Sequence, residues 1–416
     1  MKTAIKYSKL VSAIALATLS GTAWAQTTLN VAAFANYDQA IRMAIPMFEK
    51  ENPDIKINLT SLAFDDHHTA MTTSLSTGAN VPDVMAIEVG YIGRFANAGG
   101  LEDLNLPPYN AGQFADSFSP FTIPLGQNTK GEQSSLPVDI GPGAIFYHSE
   151  VLAKAGVTQE ELLRDWDSFI ESGKKIKEKT GSYLVADAVD VKDIVIRSGL
   201  KDGESIYFDQ NNKIMVESDR FKQAFKLAKQ VRDAKLDAQV KAWSTEWTEG
   251  LRRGDIASQM MGSWLGGHFN GWISPGENVW RTADLPANTF ASWGGSFLAI
   301  PKRAEHKDEA WKFIEFMSQR VDIQMEVFEQ LNIFPSLIEA QNSEFMEQPV
   351  EYLGGTQARM QWKLAAANIP AIKAHRHDPI AEQIVDDALQ SVLTRNVEID
   401  QALSDAARQI KRRARR

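Results

Sequence analysis

Strand-like and helix-like segments alternate from residue 27 onward, and this order limits the possible folds more than any other feature. The segments "LNVAAFA", "IKINLTSLAF" and "DVMAIEV" have the apolar content and alternation of buried strands. The helix after the first strand turns Ile41, Ile45 and Phe48 to one side, and the next, predicted from Asp66 to Gly78, turns Met71 inward. Strands joined by crossover helices predict an α/β fold with a largely parallel sheet covered by helices on both faces.

Polar side chains follow each of these three strands. Asn36 and Tyr37 come after the first strand, Asp65 and Asp66 after the second, and Glu88 after the third. Open α/β sheets bind ligands outside the carboxyl ends of their strands. The sequence therefore predicts that these five residues lie at one edge of the sheet and line a binding site.

The N-terminus has the pattern of a secretory signal peptide. Lys2, Lys6 and Lys9 precede an apolar run that is too short to span a bilayer, and small residues flank Trp24, which predicts residues 1–25 as a signal peptide and a mature start at Gln26. The chain has no cysteine, so we expect neither disulfides nor a lipid anchor, and we predict a free periplasmic protein. Loss of the three lysines takes the formal charge from −9 to −12, which argues against nucleic acid and anionic membranes as partners.

About 390 mature residues exceed what one hydrophobic core usually serves, so we expect two lobes. A boundary is predicted at "LPVDIGPGAIFYH", where prolines and glycines interrupt the chain before a new strand and helix begin. Helices are predicted at about 167–179 and 219–233 in the second part.

The segment "FDDHH", residues 64–68, is the first candidate for chemistry. Four adjacent residues on a strand-to-helix turn cannot all point at one ion, so a metal site is disfavoured. We predict that one of Asp65 and Asp66 caps the helix while the other accepts hydrogen bonds from a ligand, and that His67 and His68 are solvated.

Tryptophans are concentrated in one region of the second part. Six of the nine outside the signal peptide lie within 50 residues: Trp243, Trp247, Trp264, Trp272, Trp280 and Trp293. A sugar ring has an apolar face that stacks on an aromatic plane and hydroxyls that need polar partners. Trp264 and Trp293 sit at strand ends and are predicted to bind a ligand, and the other four are predicted to be core residues. Gly294 and Gly295 after Trp293 would let a ligand approach the backbone.

Several phrases in order along the chain resemble the family 1 extracellular solute-binding proteins of ABC importers, the group that contains the maltose-binding protein. They are "MFEKENPDIKI", "LSTGANVPDVMAIEVGYIGRFANAGGLEDL", "LPVDIGPGAIFYHSEVLAKAG", "GDIASQMMGSWL", "WGGSFLAIPKRAEHKDEAWKFIEFM" and "IVDDALQSVLTRNVEIDQALSDAARQI". The resemblance implies a two-lobed periplasmic binding protein fold of type II, which closes on a ligand and delivers it to a membrane permease.

The resemblance also implies where the lobes divide. It implies crossings near 139–143, 296–301 and 353–357, so that residues 26–138 and 301–353 form the N-terminal lobe and 139–300 and 354–416 the C-terminal lobe. Asp139 would lie at the first crossing and enter the cleft, and Trp264 matches the family position whose aromatic side chain stacks on sugar. Arg376 and His377, ahead of the last helix pair, would also reach the cleft.

The sequence leaves three functions open. The first is a monomeric sugar-binding protein of an ABC importer, with no catalytic residue, no metal and no cofactor. The second is a glycoside hydrolase that uses two of the carboxylates among Asp65, Asp66, Glu88 and Asp139. The third keeps the fold and binds a polyamine or another small solute, which aromatic rings and carboxylates would also suit.

Overall fold

The computed structural model describes residues 26–414, so the predicted signal peptide lies outside the described residues. Within that range the strands form two separate sheets, of five and three strands. The strands are β1 Thr27–Phe34, β2 Ile55–Leu62, β3 Val84–Glu88, β4 Leu136–Pro137, β5 Gly143–His148, β6 Ser258–Gly262, β7 Trp280–Ala283 and β8 Ser296–Ala299.

Helices surround both sheets. They are α1 Tyr37–Glu51, α2 Phe64–Thr77, α3 Val89–Asn97, α4 Thr122–Leu125, α5 Ser149–Ala155, α6 Gln159–Leu163, α7 Trp166–Thr180, α8 Ala188–Arg197, α9 Asp219–Asp233, α10 Thr245–Arg252, α11 Leu265–His268, α12 Lys307–Gln319, α13 Val321–Leu331, α14 Ile338–Gln341, α15 Ala358–Asn368, α16 Asp378–Arg395 and α17 Ile399–Arg413. Short helical turns occupy Ala111–Ser117, Phe269–Ile273, Pro286–Asn288, Glu344–Glu347 and Glu351–Leu353. Between residues 26 and 414, every helix is too short or too polar to cross a bilayer.

The five-stranded sheet has the order β2-β1-β3-β8-β4. β1 pairs in parallel with β2 and β3, as the crossover helices α1 and α2 require. β8 is antiparallel to both β3 and β4, so the sheet is mixed. The carboxyl ends of β1, β2 and β3 therefore lie at the same edge, as the sequence predicts.

The three-stranded sheet differs from the expected parallel arrangement. β5 lies between β6 and β7 and is antiparallel to both. Parallel pairing appears only beside the strands, in the isolated bridges Tyr183 to Ile256 and Val185 to Asp237. β6 and β7 therefore run in the same direction on either side of β5, and the chain between them passes through α11 and the turn Phe269–Ile273.

The strand pairing moves one predicted boundary. β8 lies in the range 139–300 that the sequence assigns to the second lobe, yet it pairs with β3 and β4 of the first sheet. The chain leaves the first sheet after β4 and enters the second at Gly143. It returns between Ser292, which bridges to Pro142, and Ser296, which pairs with Glu88. The return therefore precedes Ser296 and β8 belongs to the first sheet.

Three buried clusters of apolar side chains hold the two sheets and their helices together. One packs α1, α12 and α13 against one face of the first sheet, around Phe48, Phe313 and Ile314. A second fills the space between the second sheet and α7, α8, α9, α16 and α17. The third contains side chains from both sheets, among them Ile87 and Phe146, and is continuous beneath the crossings.

Candidate functional site

Side chains from the carboxyl ends of β1, β2 and β3 form one side of the candidate site, here called the first wall: Tyr37, Asp65, Glu88 and Tyr91. Glu88 is the N-cap of α3 and accepts a hydrogen bond from the Gly90 N–H at 2.7 Å. The Tyr91 hydroxyl donates to the Asp65 carboxylate at 3.2 Å. Asn36 is exposed beside Tyr37, with a positive φ of 80°.

The segment "FDDHH" is built differently from the prediction. α2 begins at Phe64 with Ala63 as its N-cap and no capping side chain, so Asp65 and Asp66 both lie exposed in the first turn. Their charges still favour that end of the helix, because it carries the positive end of the helix dipole. The prediction that one of them is an N-cap is wrong.

The two histidines are buried rather than solvated. His67 Nε2 lies 2.8 Å from the Ala86 carbonyl oxygen, and His68 Nδ1 lies 2.8 Å from the Phe64 carbonyl oxygen. The His68 ring stacks on Tyr91 at 4.0 Å between centroids. Burial lowers the pKa of His68 to about 3, so this ring is neutral and serves as a support for Tyr91.

Asp139 lies under the first wall at the predicted crossing. Its Oδ1 accepts a hydrogen bond from the Ser296 N–H at 3.1 Å, while Oδ2 is buried without a partner. The Tyr37 hydroxyl is also buried without a partner, and burial together with the Asp139 charge raises the Tyr37 pKa well above its usual value. Burial raises the pKa of Asp139 to about 7. Two buried polar atoms at the first wall therefore have no hydrogen-bond partner among the described residues.

The opposite side is here called the aromatic wall: Trp243, Trp264, His268, Trp272 and Trp293, all from the second part of the chain. Trp264 precedes α11 and donates its indole N–H to the Trp293 carbonyl oxygen at 2.8 Å. Trp264 is half-buried and stacks on Trp243, with ring centroids 5.7 Å apart and an angle of 19°. Trp293 is half-buried as well.

The prediction for the remaining four tryptophans is right for two and wrong for two. Trp247 and Trp280 are buried in the core, as expected. Trp243 and Trp272 are 48% and 42% exposed. Both lie in irregular or non-α segments, where no periodic pattern in the sequence predicts which way a side chain points.

The glycines after Trp293 lie where the crossing strands pack closely. Gly294 and Gly295 have φ values of 91° and 132°, which favour glycine. A Cβ on Gly294 would lie 2.9 Å from the Trp264 indole nitrogen, and one on Gly295 would lie 3.2 Å from the Asp139 carbonyl oxygen. The two glycines thus let the crossing strands approach each other, and the predicted approach of a ligand to their backbone stays a prediction.

A charged group between the two walls was not predicted. Arg197, at the end of α8, bonds to Glu382 of α16 at 3.1 Å, and its guanidinium lies 5.0 Å from the centroid of the Trp293 ring. Burial raises the pKa of Glu88 to about 7, the Gly90 N–H and the Arg197 charge oppose this rise, and Glu382 and Asp139 add to it. Glu88, Asp139, Arg197 and Glu382 therefore share one electrostatic environment. The sequence signal for Arg197 is a cation that directly ends the apolar run "IVI".

Arg376 and His377 lie ahead of α16, and no described contact joins them to either wall. Arg376 is exposed, and His377 is half-buried with its ring 5.4 Å from that of His375. His375 stacks on Phe208 at 3.8 Å, and the backbone of Ala374 and His375 packs closely against Gly93 of α3. This segment therefore touches both parts of the chain, and the contact of Arg376 with a ligand stays a prediction.

Two concave regions of the described surface contain none of the predicted residues. A hollow of about 550 Å³ between α7 and α9 is lined by Trp166, Lys222 and Lys226, among others. A second, of about 280 Å³, lies beside Gly99 and Arg303. Among residues 26–414 there is no group of three His, Asp or Glu side chains arranged to hold a metal ion.

The fold and this arrangement are those of a substrate-binding protein, and comparison with known proteins gives the family. Residues 30–320 match the family described as bacterial extracellular solute-binding protein, and the chain belongs to that family. It is 24% identical over 358 residues to the lactose-binding protein of Rhizobium radiobacter, covering 81% of each chain. It is 25% identical over 280 residues to the arabinooligosaccharide-binding protein of Bacillus subtilis, of which it covers 64%.

Solved structures of similar proteins have the same fold. An ABC transporter associated binding protein from B. animalis subsp. lactis, in complex with β-1,6-galactobiose, superimposes with a TM-score of 0.77 at 23% identity, covering 92% of this chain and 96% of that one. The sugar-binding protein MalE of Xanthomonas citri gives 0.74 at 20% identity, with 93% and 98% covered. The two-lobed α/β fold of the binding proteins is thereby confirmed.

Proposed function

We propose that this protein captures a sugar between its two lobes and delivers it to the membrane permease of an ABC importer. The first lobe comprises 26–138 and the chain from β8 to about 353, and the second lobe comprises 139 to about 295 and 354–416. The ligand lies between the first wall and the aromatic wall. The lactose, arabinooligosaccharide and galactobiose proteins named above make a sugar the favoured ligand.

The observation that carries this proposal is the pairing of two unlike surfaces. Glu88 and Asp65 offer carboxylate oxygens to hydroxyl groups, and Trp264 and Trp293 offer ring surface to an apolar sugar face. Asp139 and Tyr37 add two buried polar atoms that have no partner in the protein. A neutral ligand with one apolar face and a rim of hydroxyls matches both surfaces at once.

The site is proposed to bind and not to react. A hydrolase of this type would use two carboxylates, one as acid and one as base or nucleophile. Here Glu88 accepts the Gly90 N–H and Asp139 accepts the Ser296 N–H, so each already has a structural task. Incubation of the protein with oligosaccharides should release no new reducing ends.

We also propose that residues 1–25 are removed on export, that the mature protein is a monomer without a lipid anchor in the periplasm, and that it needs no metal or cofactor. Amino-terminal sequencing of periplasmic extract should give Gln26. Retention of Met1 would contradict the export proposal.

A thermal-shift screen tests the ligand class. Mono- and oligosaccharides are compared with polyamines such as putrescine and spermidine, and a ligand present at 100 times its dissociation constant should stabilise the protein by about 2.7 kcal/mol. Stabilisation by a sugar, lost in Trp264→Ala, supports the proposal. Stabilisation by polyamines alone would replace the sugar with a cationic ligand.

A further inference from the structure

Two exposed indoles continue the aromatic wall beyond Trp264. Trp243 and Trp272 are 48% and 42% exposed, although large aromatic side chains are normally covered. The Trp243 ring contacts both of its neighbours, with centroids 5.7 Å from Trp264 and 6.5 Å from Trp272. The three rings therefore form a row with Trp243 in the middle, and Trp243 and Trp272 are more exposed than the half-buried Trp264.

The rings overlap only in part. Trp243 and Trp264 are nearly parallel, at 19°, and a centroid separation of 5.7 Å requires a large lateral offset. Trp272 is inclined by 36° to Trp243. Each ring thus leaves part of its neighbour's face uncovered, and the ring faces follow one another like steps.

Trp272 is held in place by a histidine. Its indole N–H donates to His268 Nδ1 at 3.0 Å. The imidazole is nearly perpendicular to Trp243 and Trp264, at 81° and 82°, and contacts both rings. Because Nδ1 accepts this hydrogen bond, the neutral imidazole carries its hydrogen on Nε2, and burial lowers the His268 pKa to about 4. The row is fixed and uncharged at neutral pH.

The backbone at Trp243 is strained. Its φ of 71° lies in the left-handed region, which a bulky residue rarely adopts. The ring is held by contact with the buried Trp247, whose centroid is 5.2 Å away. Strain of this kind persists where the surroundings impose it, and it is concentrated at ligand-binding positions.

We propose that Trp243 and Trp272 extend the Trp264 platform into a row of three steps, so that the cleft takes an oligosaccharide of at least two rings, with Trp272 contacting only the outermost ring. The inference rests on the proposed sugar-binding function and deepens it. The row of indoles would then determine how many sugar rings the protein binds, and Trp272 is the residue that distinguishes a longer oligosaccharide from a shorter one.

The test measures dissociation constants by calorimetry for two sugar series, galactose with its β-1,6-linked dimer and trimer, and arabinose with its α-1,5-linked dimer and trimer. Trp272→Ala should weaken trimer binding by about tenfold and leave the monomer unchanged. Trp243→Ala should weaken dimer and trimer alike. Trp272→Phe, which keeps a ring, should restore most of the trimer affinity. The matched control is Leu364→Ala, an exposed apolar side chain on α15 that no part of the row contacts.

Three results would overturn the inference. If Trp272→Ala loses equal affinity for monomer, dimer and trimer, this residue does not distinguish sugars by their number of rings. Tighter binding by Trp243→Ala would show that its ring covers the Trp264 platform and competes with the ligand. A wild-type protein that binds no sugar of either series but binds a polyamine would remove the proposed function itself, whereas sugar binding without length dependence removes only this inference.

Discussion

The first wall and the aromatic wall of the proposed cleft are held in place by different interactions. The first wall consists of carboxylates and hydroxyls that follow strand ends, and main-chain N–H groups hold Glu88 and Asp139 in place. The aromatic wall consists of rings held by one another and by indole hydrogen bonds, as with Trp264 on the Trp293 carbonyl oxygen. Burial raises the pKa of Glu88 and of Asp139 to about 7, while it lowers the pKa of His268 in the aromatic wall to about 4. The first wall supplies charged and directional hydrogen-bonding groups, and the aromatic wall supplies apolar ring surface.

The largest expected effect is on sugar binding, and it distinguishes a tryptophan of the aromatic wall from a tryptophan of the core. Trp264→Ala removes a ligand platform and should cost about 2–4 kcal/mol of sugar binding. The free protein should lose only about 1 kcal/mol of folding stability, because the indole is half-buried and makes one hydrogen bond. Calorimetric binding and denaturant unfolding of the same variant measure both quantities.

Trp280→Ala is the matched control for Trp264→Ala, because Trp280 is the same residue type but is fully buried. It should lose about 3–5 kcal/mol of folding stability and bind normally when folded. If Trp264→Ala instead loses stability on that scale while the folded fraction binds sugar normally, Trp264 belongs to the core and the aromatic wall is misplaced.

The next effect concerns the crossing that joins the walls. A Cβ at Gly141 would overlap the Trp293 carbonyl oxygen, and backbone atoms cannot move aside as a flexible side chain can. Gly141→Ala should therefore cost about 1–3 kcal/mol of folding stability and also weaken sugar binding, because it displaces Trp293. Gly271→Ala is the control: no atom lies within 4 Å of its Cβ position, and its stability should hardly change. Equal melting temperatures for the two variants would contradict this account.

A third effect depends on pH and is tested at Asp139, beside the first wall. An aspartate titrates near pH 4 in the unfolded chain, while burial raises the native pKa of Asp139 to about 7. Between these values the native protein holds a proton that the unfolded chain has released. The free energy of unfolding should therefore fall as the pH rises from about 4 to about 7, by up to about 1.4 kcal/mol per pH unit.

Asp139→Asn cannot titrate and keeps an oxygen for the Ser296 N–H. Its unfolding free energy should vary less between pH 5 and pH 8 than that of the wild type. The stability of the variant relative to the wild type should therefore be higher at pH 8 than at pH 5. Asp66→Asn, at an exposed position, should follow the wild-type profile. A pH profile for Asp139→Asn that matches the wild type would place the titrating group elsewhere.

The smallest effect distinguishes the two aspartates of "FDDHH". Asp65 accepts a hydrogen bond from Tyr91, whereas no partner is described for the exposed Asp66 carboxylate. Asp65→Ala should therefore weaken sugar binding by about 0.5–1.5 kcal/mol, and Asp66→Ala should leave it unchanged. A larger loss from Asp66→Ala in the same titration would reverse the assignment.

The local periodicity of apolar residues was sufficient to predict much of the fold. The predicted helix at about 219–233 matches α9, and Gly78 ends α2 in the left-handed conformation that its position in the sequence indicates. The burial of His67 and His68 was also within reach, because they precede Met71 and Ser74 at helical spacing on the buried face. Their polar character led to the wrong prediction.

The rest of the site depends on contacts between distant segments, which a single sequence does not reveal. Arg197 meets Trp293 and Glu382 only after α8, the return crossing and α16 have come together. The exposure of Trp243 depends on a left-handed backbone that no tryptophan prefers. Tyr91, like Glu88, lies close to the carboxyl end of β3 in the sequence, so it could have been predicted as a residue of the binding site.

The last helices of the chain have a consequence for how the protein is made. Lys192 on α8 is fully buried and its charge is balanced by the neighbouring Asp193 and by Asp386 of α16, while Arg197 takes its partner from Glu382 of the same helix. A buried cation without its counter-ions is strongly destabilising. While the chain emerges from the ribosome, the second lobe therefore cannot complete its folding until α16 has been synthesised. A nascent protein in this state remains open for longer, which fits the export that we propose for it.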